Sequence, residues 1–173
     1  VVICEPSGNQ IALGHKGKAQ VKIRTEGKSA HGSAPEKGVN AVYEMAEIIQ
    51  KVESKNFELA KLEKDGFKPT LVLSRISSEA ASLNAVPFSC EIYLDRRTVP
   101  GETEAMIREE MDTLVSGKNA SWEPGVLKRK SWTGTDIHYV PIHPAWKIAE
   151  DAYLTVKCVE AFRDTFGQNP ARF

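Results

Sequence analysis

The sequence predicts an α+β fold of the split βαβ type, in which a four-stranded antiparallel sheet carries two helices on one face. Three observations support this prediction. Several stretches alternate apolar with polar residues, as strands with one buried face do. Two others repeat apolar residues every three or four positions, as amphipathic helices do. In chain order these segments run strand, helix, strand, strand, helix, strand, which is the order typical of a split βαβ unit.

The first half of the unit contains a strand, a helix and a second strand. The first strand has an apolar face formed by Ala19, Val21, Ile23 and Thr25. The helix follows a loop of small residues, and its apolar stripe is Ala41, Met45, Ile48, Ile49 and Val52. The second strand is predicted over about residues 70–77.

The second half repeats the pattern. A loop at residues 82–87 leads into a strand whose apolar face is Phe88, Cys90, Ile92 and Leu94. A helix is predicted from about Thr103 to Gly117, with a stripe formed by Met106, Ile107, Met111, Leu114 and Val115. A fourth strand is predicted within residues 121–129, although Pro124-Gly125 interrupts it.

Two segments have no place in this unit. Residues 1–4 are apolar and mostly β-branched, which predicts a buried strand. A long helix is predicted from about Ala145 to Phe166, after an irregular stretch from Lys130 to Pro144. We therefore expect the flanks to belong to a second domain and the chain to be cut from a longer protein.

Composition narrows the class of partner. The formal net charge is +0, with 41% hydrophobic and 27% charged residues, so no basic excess attracts nucleic acid or anionic lipid. No apolar run is long enough to span a bilayer. Cys4, Cys90 and Cys158 are far apart, which favours free thiols in a reducing cytosol over a disulfide scaffold or metal finger. We expect a cytoplasmic protein that binds neither nucleic acid nor membrane.

Two positions are candidates for chemistry. The loop between the first strand and first helix is rich in Gly, Ser, Ala and Pro and carries one histidine, His31. Such a loop lets the backbone approach a ligand closely, and a histidine can donate a hydrogen bond to an anion. Glu5 follows the first apolar run, where open α/β sheets place ligand-binding groups. The alternative for His31 is an incidental histidine in a surface loop, and the alternative for Glu5 is a solvent-exposed residue at the end of a strand.

Five stretches resemble a known family in their order and spacing. They are Glu5-Pro6-Ser7, Gly27-Lys28-Ser29-Ala30-His31, Pro35 through Ala41, Asn84-Ala85-Val86-Pro87, and Asp95-Arg96-Arg97 with Pro100-Gly101-Glu102-Thr103. This set resembles the dinuclear-zinc amidohydrolases and metallopeptidases. That family includes acetylornithine deacetylase, succinyl-diaminopimelate desuccinylase, aminoacylase and the glutamate carboxypeptidases.

The resemblance implies a domain organisation. In this family a ferredoxin-like lid interrupts the catalytic domain and forms a homodimer. Residues 17–130 would be the lid and dimerisation domain. Residues 1–16 would end the first catalytic segment, and residues 131–173 would begin the second.

The resemblance also implies roles for four residues. Glu5 would ligate one of two zinc ions, or cobalt or manganese in their place, in the full-length protein. His31 would reach into the partner subunit's active site and stabilise the oxyanion formed at the scissile amide. Asn84 and Arg97 would bind the substrate's carboxylate or carbonyl, for which the planar guanidinium is well suited. An ion pair of Arg97 with Asp95 or Glu102 is the alternative for that residue.

Other features of the family are missing from these 173 residues. The remaining zinc ligands and the acidic pair that supplies the general base are absent. Glu109-Glu110 resembles that pair but lies within the predicted lid helix, on the wrong side of Glu5. His138 and His143 are interpreted as structural or helix-start residues. We therefore expect this chain alone to be inactive and to hold no metal tightly.

The resemblance implies that the full-length protein cleaves amide, N-acyl or peptide bonds of small carboxylate-bearing substrates. The alternative is a stand-alone ferredoxin-like module that binds a small ligand or another protein, because a split βαβ sheet hosts many functions. An RNA-binding version of that module is disfavoured, because the central strands lack the stacked aromatic residues that such domains present.

Overall fold

The computed structural model describes residues 7–64 and 66–173. The elements in chain order are β1 (Gly14–His15), β2 (Gly17–Glu26), α1 (Ala41–Leu59), β3 (Thr70–Glu79), β4 (Ser89–Thr98), α2 (Glu104–Val115), β5 (Ala120–Pro124), β6 (Leu127–Lys130), β7 (Asp136–Tyr139), β8 (Ile142–His143), β9 (Trp146–Lys147) and α3 (Tyr153–Phe166). The strand predicted at residues 1–4 and the predicted ligand Glu5 lie outside the described residues.

The main sheet confirms the predicted split βαβ fold. Its strands are ordered β3-β4-β2-β5, and all neighbouring pairs are antiparallel. The two outer strands of the sheet are therefore the second and fourth strands of the unit, as in ferredoxin-like folds. Both helices pack on one face, which leaves the opposite face, here called the open face, without a covering helix.

The core lies between the helices and the inward-facing strand residues. The predicted apolar stripes supply most of it: Val21, Ile23, Ala41, Met45, Ile48, Val52, Leu59, Leu71, Cys90, Ile92, Leu94, Met111 and Leu114 are buried together. Helix α1 begins at Ala41 because the Asn40 side chain caps it, accepting a hydrogen bond from the Val42 amide at 2.9 Å. The prediction of a helix start after the small-residue loop is thus confirmed.

The segment after α2 differs from the prediction. The fourth strand splits in two, because the chain leaves the sheet after Pro124 and Gly125. The second part, β6, pairs with β7 in a separate hairpin whose turn holds Gly134 at φ +86°. The expectation that residues 130–144 are irregular was therefore wrong for β7.

The last helix is shorter than predicted. It begins at Tyr153 and not near Ala145, because Trp146 and Lys147 form β9 and pair with β1. The flanks also meet beyond this pair, since Ile11 N donates to Ala171 O at 2.9 Å and Leu13 N to Phe173 O at 2.7 Å. The two flanks therefore contact each other; their assignment to a second domain, with boundaries at residues 16 and 130, stays a prediction.

None of the helices in residues 7–64 and 66–173 has both the length and the apolar character that crossing a lipid bilayer requires. In the same part of the chain Cys90 is buried and Cys158 is half-buried, and both are free thiols. Burial raises the pKa of the Cys90 thiol. Cys90 is therefore an unreactive core residue.

Candidate functional site

The loop that carries His31 is closed tightly at its base. Lys28 and Val39 exchange both backbone hydrogen bonds, at 2.8 and 2.9 Å. A side chain at Gly27 would meet the Val39 carbonyl oxygen at 2.1 Å, so this position requires glycine. The loop is therefore a constrained structure whose base is continuous with β2.

A second loop, between β3 and β4, pairs with the first. The amide of Gly32 donates to the Asn84 carbonyl at 2.6 Å, and the amide of Val86 donates to the Ala30 carbonyl at 2.8 Å. His31 and Asn84 are thereby brought side by side. Residues 27–40 and 80–88 together are called the tip below.

The His31 ring is exposed and held in a defined orientation. Its Nδ1 accepts a hydrogen bond from the Ser33 amide at 3.2 Å and lies 2.8 Å from the Ser33 hydroxyl. Because Nδ1 is an acceptor, the proton of the neutral ring resides on Nε2. The ring therefore presents an N–H donor for which residues 7–64 and 66–173 supply no acceptor.

Asn84 is also exposed, and its amide is partly engaged. The Ser82 hydroxyl donates to Asn84 Oδ1 at 2.7 Å. In the described part of the chain, no acceptor pairs with the Nδ2 group. The tip thus offers two donors, one from His31 and one from Asn84, suited to an oxygen with developing negative charge.

Arg97 lies at the other end of the sheet. Strand β4 starts beside the tip, where Ser89 pairs with Glu26, and ends where Thr98 pairs with Gly17. The region around Gly17 and Thr98 is called the hinge end below. Ten residues of strand at about 3.3 Å each separate the two ends by about 30 Å. Arg97 is therefore not brought together with His31 and Asn84 within one chain.

Asp95 orients the Arg97 side chain. The Arg97 Nε donates to Asp95 Oδ2 at 2.9 Å, and the guanidinium is 42% exposed. The ion pair with Asp95, considered from sequence, thus exists. It uses only Nε, so the terminal nitrogens remain available for a bidentate contact with a carboxylate.

Arg96 points to the opposite face, as the strand alternation predicts. Its side chain is 1% exposed and donates to Glu102 at 2.5 Å and to Glu110 at 3.1 Å. Burial alone lowers the pKa of Arg96, but the hydrogen bonds that Arg96 donates to Glu110 and Glu102 outweigh it, so the net pKa is raised. Arg96 Nη1 also donates to the Arg97 carbonyl at 2.6 Å, which ties this cluster to the neighbouring residue.

The remaining candidates are placed away from the tip. Glu110 accepts a hydrogen bond from Arg96, and the rejection of Glu109-Glu110 as the acidic pair that supplies the general base stays a prediction. His138 is exposed on β7, and His143 lies on β8 beside the hinge end, so neither starts α3. Within residues 7–64 and 66–173 no three His, Cys, Asp or Glu side chains are grouped to hold a metal ion.

Comparison with known proteins identifies the family. Residues 13–123 match the profile of the M20 peptidase dimerisation domain. The chain belongs to this family. The match runs from before β2 to all but the last residue of β5, so the dimerisation domain is the part of the chain that contains His31, Asn84 and Arg97.

Relatives with curated sequences extend the match through the flanks of the dimerisation domain. The uncharacterized protein YgeY of Escherichia coli K12 is 35% identical over 172 residues, which is 98% of this chain and 42% of YgeY. Acetylornithine deacetylase of Klebsiella pneumoniae is 34% identical over 167 residues, covering 92% of this chain and 40% of that enzyme. The chain thus spans about two fifths of the length of these relatives.

The fold also occurs in solved structures. Aminopeptidase PepT of Bacillus cereus superposes with a TM-score of 0.64 at 22% identity, covering 95% of this chain and 39% of PepT. At that identity the likeness supports the fold alone. It covers the antiparallel sheet with its two helices and the flanking segments.

Proposed function

We propose that this chain is the substrate-binding lid and dimerisation domain of a metal-dependent hydrolase acting on amide, N-acyl or peptide bonds of small carboxylate-bearing substrates. The observation that supports this most strongly is the placement of two donor sites, the tip and Arg97, at opposite ends of one sheet. Two zinc ions, or cobalt or manganese, remain a prediction for the full-length protein, with Glu5 as one ligand. A cytoplasmic location likewise remains a prediction.

The separation of the two ends requires two copies of the chain at each site. A small amide substrate is far shorter than the roughly 30 Å between His31 and Arg97. One active site can therefore use the tip of one chain and Arg97 of another, but not both from the same chain. A homodimer with two-fold symmetry forms two such composite sites.

Strand β3 has the features of the edge that joins the copies. It is ten residues long, its outer edge is free of any strand in the described part of the chain, and residues 74–79 are exposed. Val72 and Ile76 are apolar yet 49% and 52% exposed. A free edge of this kind pairs readily with another strand.

Antiparallel pairing of two β3 strands would also bring the tip of one copy towards Arg97 of the other. The Glu79 end of β3 adjoins the tip, whereas Thr70 pairs with Arg97. In an antiparallel pair, the Glu79 end of one copy lies beside the Thr70 end of the other. Each tip would then approach the partner's Arg97.

The chemistry follows from the donors. Arg97 would bind the substrate carboxylate bidentately. From the partner subunit, His31 would donate through Nε2 to the oxyanion of the tetrahedral intermediate, assisted by the Asn84 amide. The 173-residue chain alone is expected to show no amidase turnover.

A single experiment tests the dimer and the activity together. We expect the full-length protein to be a dimer by light scattering and to hydrolyse N-acyl amino acids. Ile76→Lys, which places a charge beside the β3 edge, should shift the protein to monomer. Its turnover should then fall in proportion to the dimer lost, because each site depends on the partner's tip.

The matched control is Val126→Lys. Val126 is 50% exposed, like Ile76, but follows β5 at the opposite edge of the sheet. This variant should remain an active dimer. A monomeric wild type, or an Ile76→Lys monomer with wild-type turnover, would contradict the proposal.

A further inference from the structure

Three basic side chains form a row on the open face at the hinge end. Lys18 is directly opposite Arg97 on one side and directly opposite His143 on the other. Directly opposed residues of antiparallel strands project from the same face, with Cβ atoms about 5 Å apart. Ala19, the next residue along β2, is 2% exposed on the helix side, so Lys18 faces outward. Arg97, Lys18 and His143 are called the basic row below.

The basic row has too few acidic partners. Two other cations of β2 on the open face have acidic partners: Lys22 pairs with Glu123 at 2.5 Å, and Arg24 lies 3.9 Å from Glu91. In the basic row, Asp95 pairs with Arg97, and no acidic side chain in the described residues forms an ion pair with Lys18. Like charges directly opposite each other destabilise a sheet. The row therefore has a cost to stability that a bound anion would offset.

The third member of the row is held in place. The ring of His143 stacks on Tyr139, with ring centroids 5.4 Å apart, and its Nε2 contacts the Tyr139 hydroxyl. His143 is nonetheless exposed. The sequence analysis interpreted His143 as a structural residue, which fits the stacking on Tyr139. The position of His143 beside Lys18 follows only from the register of β8 with β2.

We propose that Lys18 and His143 extend the Arg97 site, so that the preferred substrates are N-acyl derivatives of acidic amino acids. This inference rests on the proposed function through the role of Arg97. Arg97 holds the α-carboxylate, and Lys18 holds the side-chain carboxylate, with His143 at the outer end of the row. A dicarboxylic amino acid offers one carboxylate to each of these two directly opposed side chains.

The test compares N-acetyl-L-glutamate with N-acetyl-L-glutamine, which differ in charge but hardly in shape. For the full-length protein, kcat/KM should favour the glutamate compound by about tenfold or more. Lys18→Gln should lower that preference about tenfold, mainly by raising KM for the diacid. Lys18→Arg should retain the preference, because it keeps the charge. His143→Asn should lower it less.

The control is Lys22→Gln, on the same strand and face but paired with Glu123. It should leave the preference unchanged. A wild type that hydrolyses both compounds equally, or a Lys18→Gln variant with the wild-type preference, would overturn this inference and leave the proposed function intact. A full-length protein that hydrolyses no N-acyl amino acid would overturn both.

Discussion

Replacing His31 by alanine in the full-length protein should lower kcat by about 10²- to 10³-fold. The reason is that the exposed Nε2–H, which has no acceptor in the described part of its own chain, would be the donor that stabilises the oxyanion at the partner's site. The dimer and the metal content should be unchanged, because the ring is exposed and Ser33 is its only hydrogen-bond partner among the described residues. Steady-state kinetics, light scattering and metal analysis of the purified variant measure these three quantities.

His138→Ala is the control for this substitution. His138 is exposed on β7, away from the tip, and should tolerate the change with wild-type kinetics. If His31→Ala keeps kcat within about threefold of the wild type, the tip does not take part in catalysis.

Replacing Arg96 by methionine should destabilise the chain by about 3–5 kcal/mol. The guanidinium is 1% exposed and neutralises Glu102 and Glu110, which are 16% and 12% exposed. Methionine would leave two carboxylates facing each other without a cation. The free energy of unfolding, measured by urea denaturation near pH 7, reports the loss.

Arg108→Met provides the matched control. Arg108 pairs with Glu104 at 2.5 Å, but both side chains are 52% exposed. An exposed pair contributes at most about 1 kcal/mol, so this variant should unfold near the wild-type urea concentration. If both variants lost the same free energy of unfolding, the buried ion pairs of Arg96 with Glu102 and Glu110 would stabilise the chain no more than an exposed pair does.

Most of the split βαβ unit could be predicted because its signals are local. Strand β2 alternates buried and half-buried residues over nearly its whole length, and the stripe of α1 follows helical spacing. The start of α3 could not be predicted in this way. Ile148, Ala152 and Val156 have helical spacing, but Trp146 and Lys147 pair with residues 14–15 as β9, and that pairing joins residues far apart in the chain. Ala152, the N-cap of α3, provides no capping side chain to mark the start.

The hairpin of β6 and β7 did have a local signal. Thr133-Gly134 between two polar-apolar stretches is typical of a tight turn, and Gly134 has the positive φ that such turns need. The prediction that residues 130–144 are irregular overlooked this turn.

The candidate site depended more on the structure. Residue types and motifs indicated His31, Asn84 and Arg97, but not that two loops hold His31 beside Asn84 while Arg97 lies at the far end of β4. Lys18 and His143 carry no motif, and only strand register places them next to Arg97. Contacts between distant parts of the chain set this arrangement, and sequence periodicity does not record them.

The most direct test of the account is a heterodimer of two inactive variants, His31→Ala and Arg97→Ala, co-expressed with different tags and purified through both. If the tip acts in the partner's site and Arg97 in its own, one of the two composite sites contains both side chains. Turnover should then recover to about half that of the wild-type dimer. A heterodimer as inactive as its two parents would contradict the composite site.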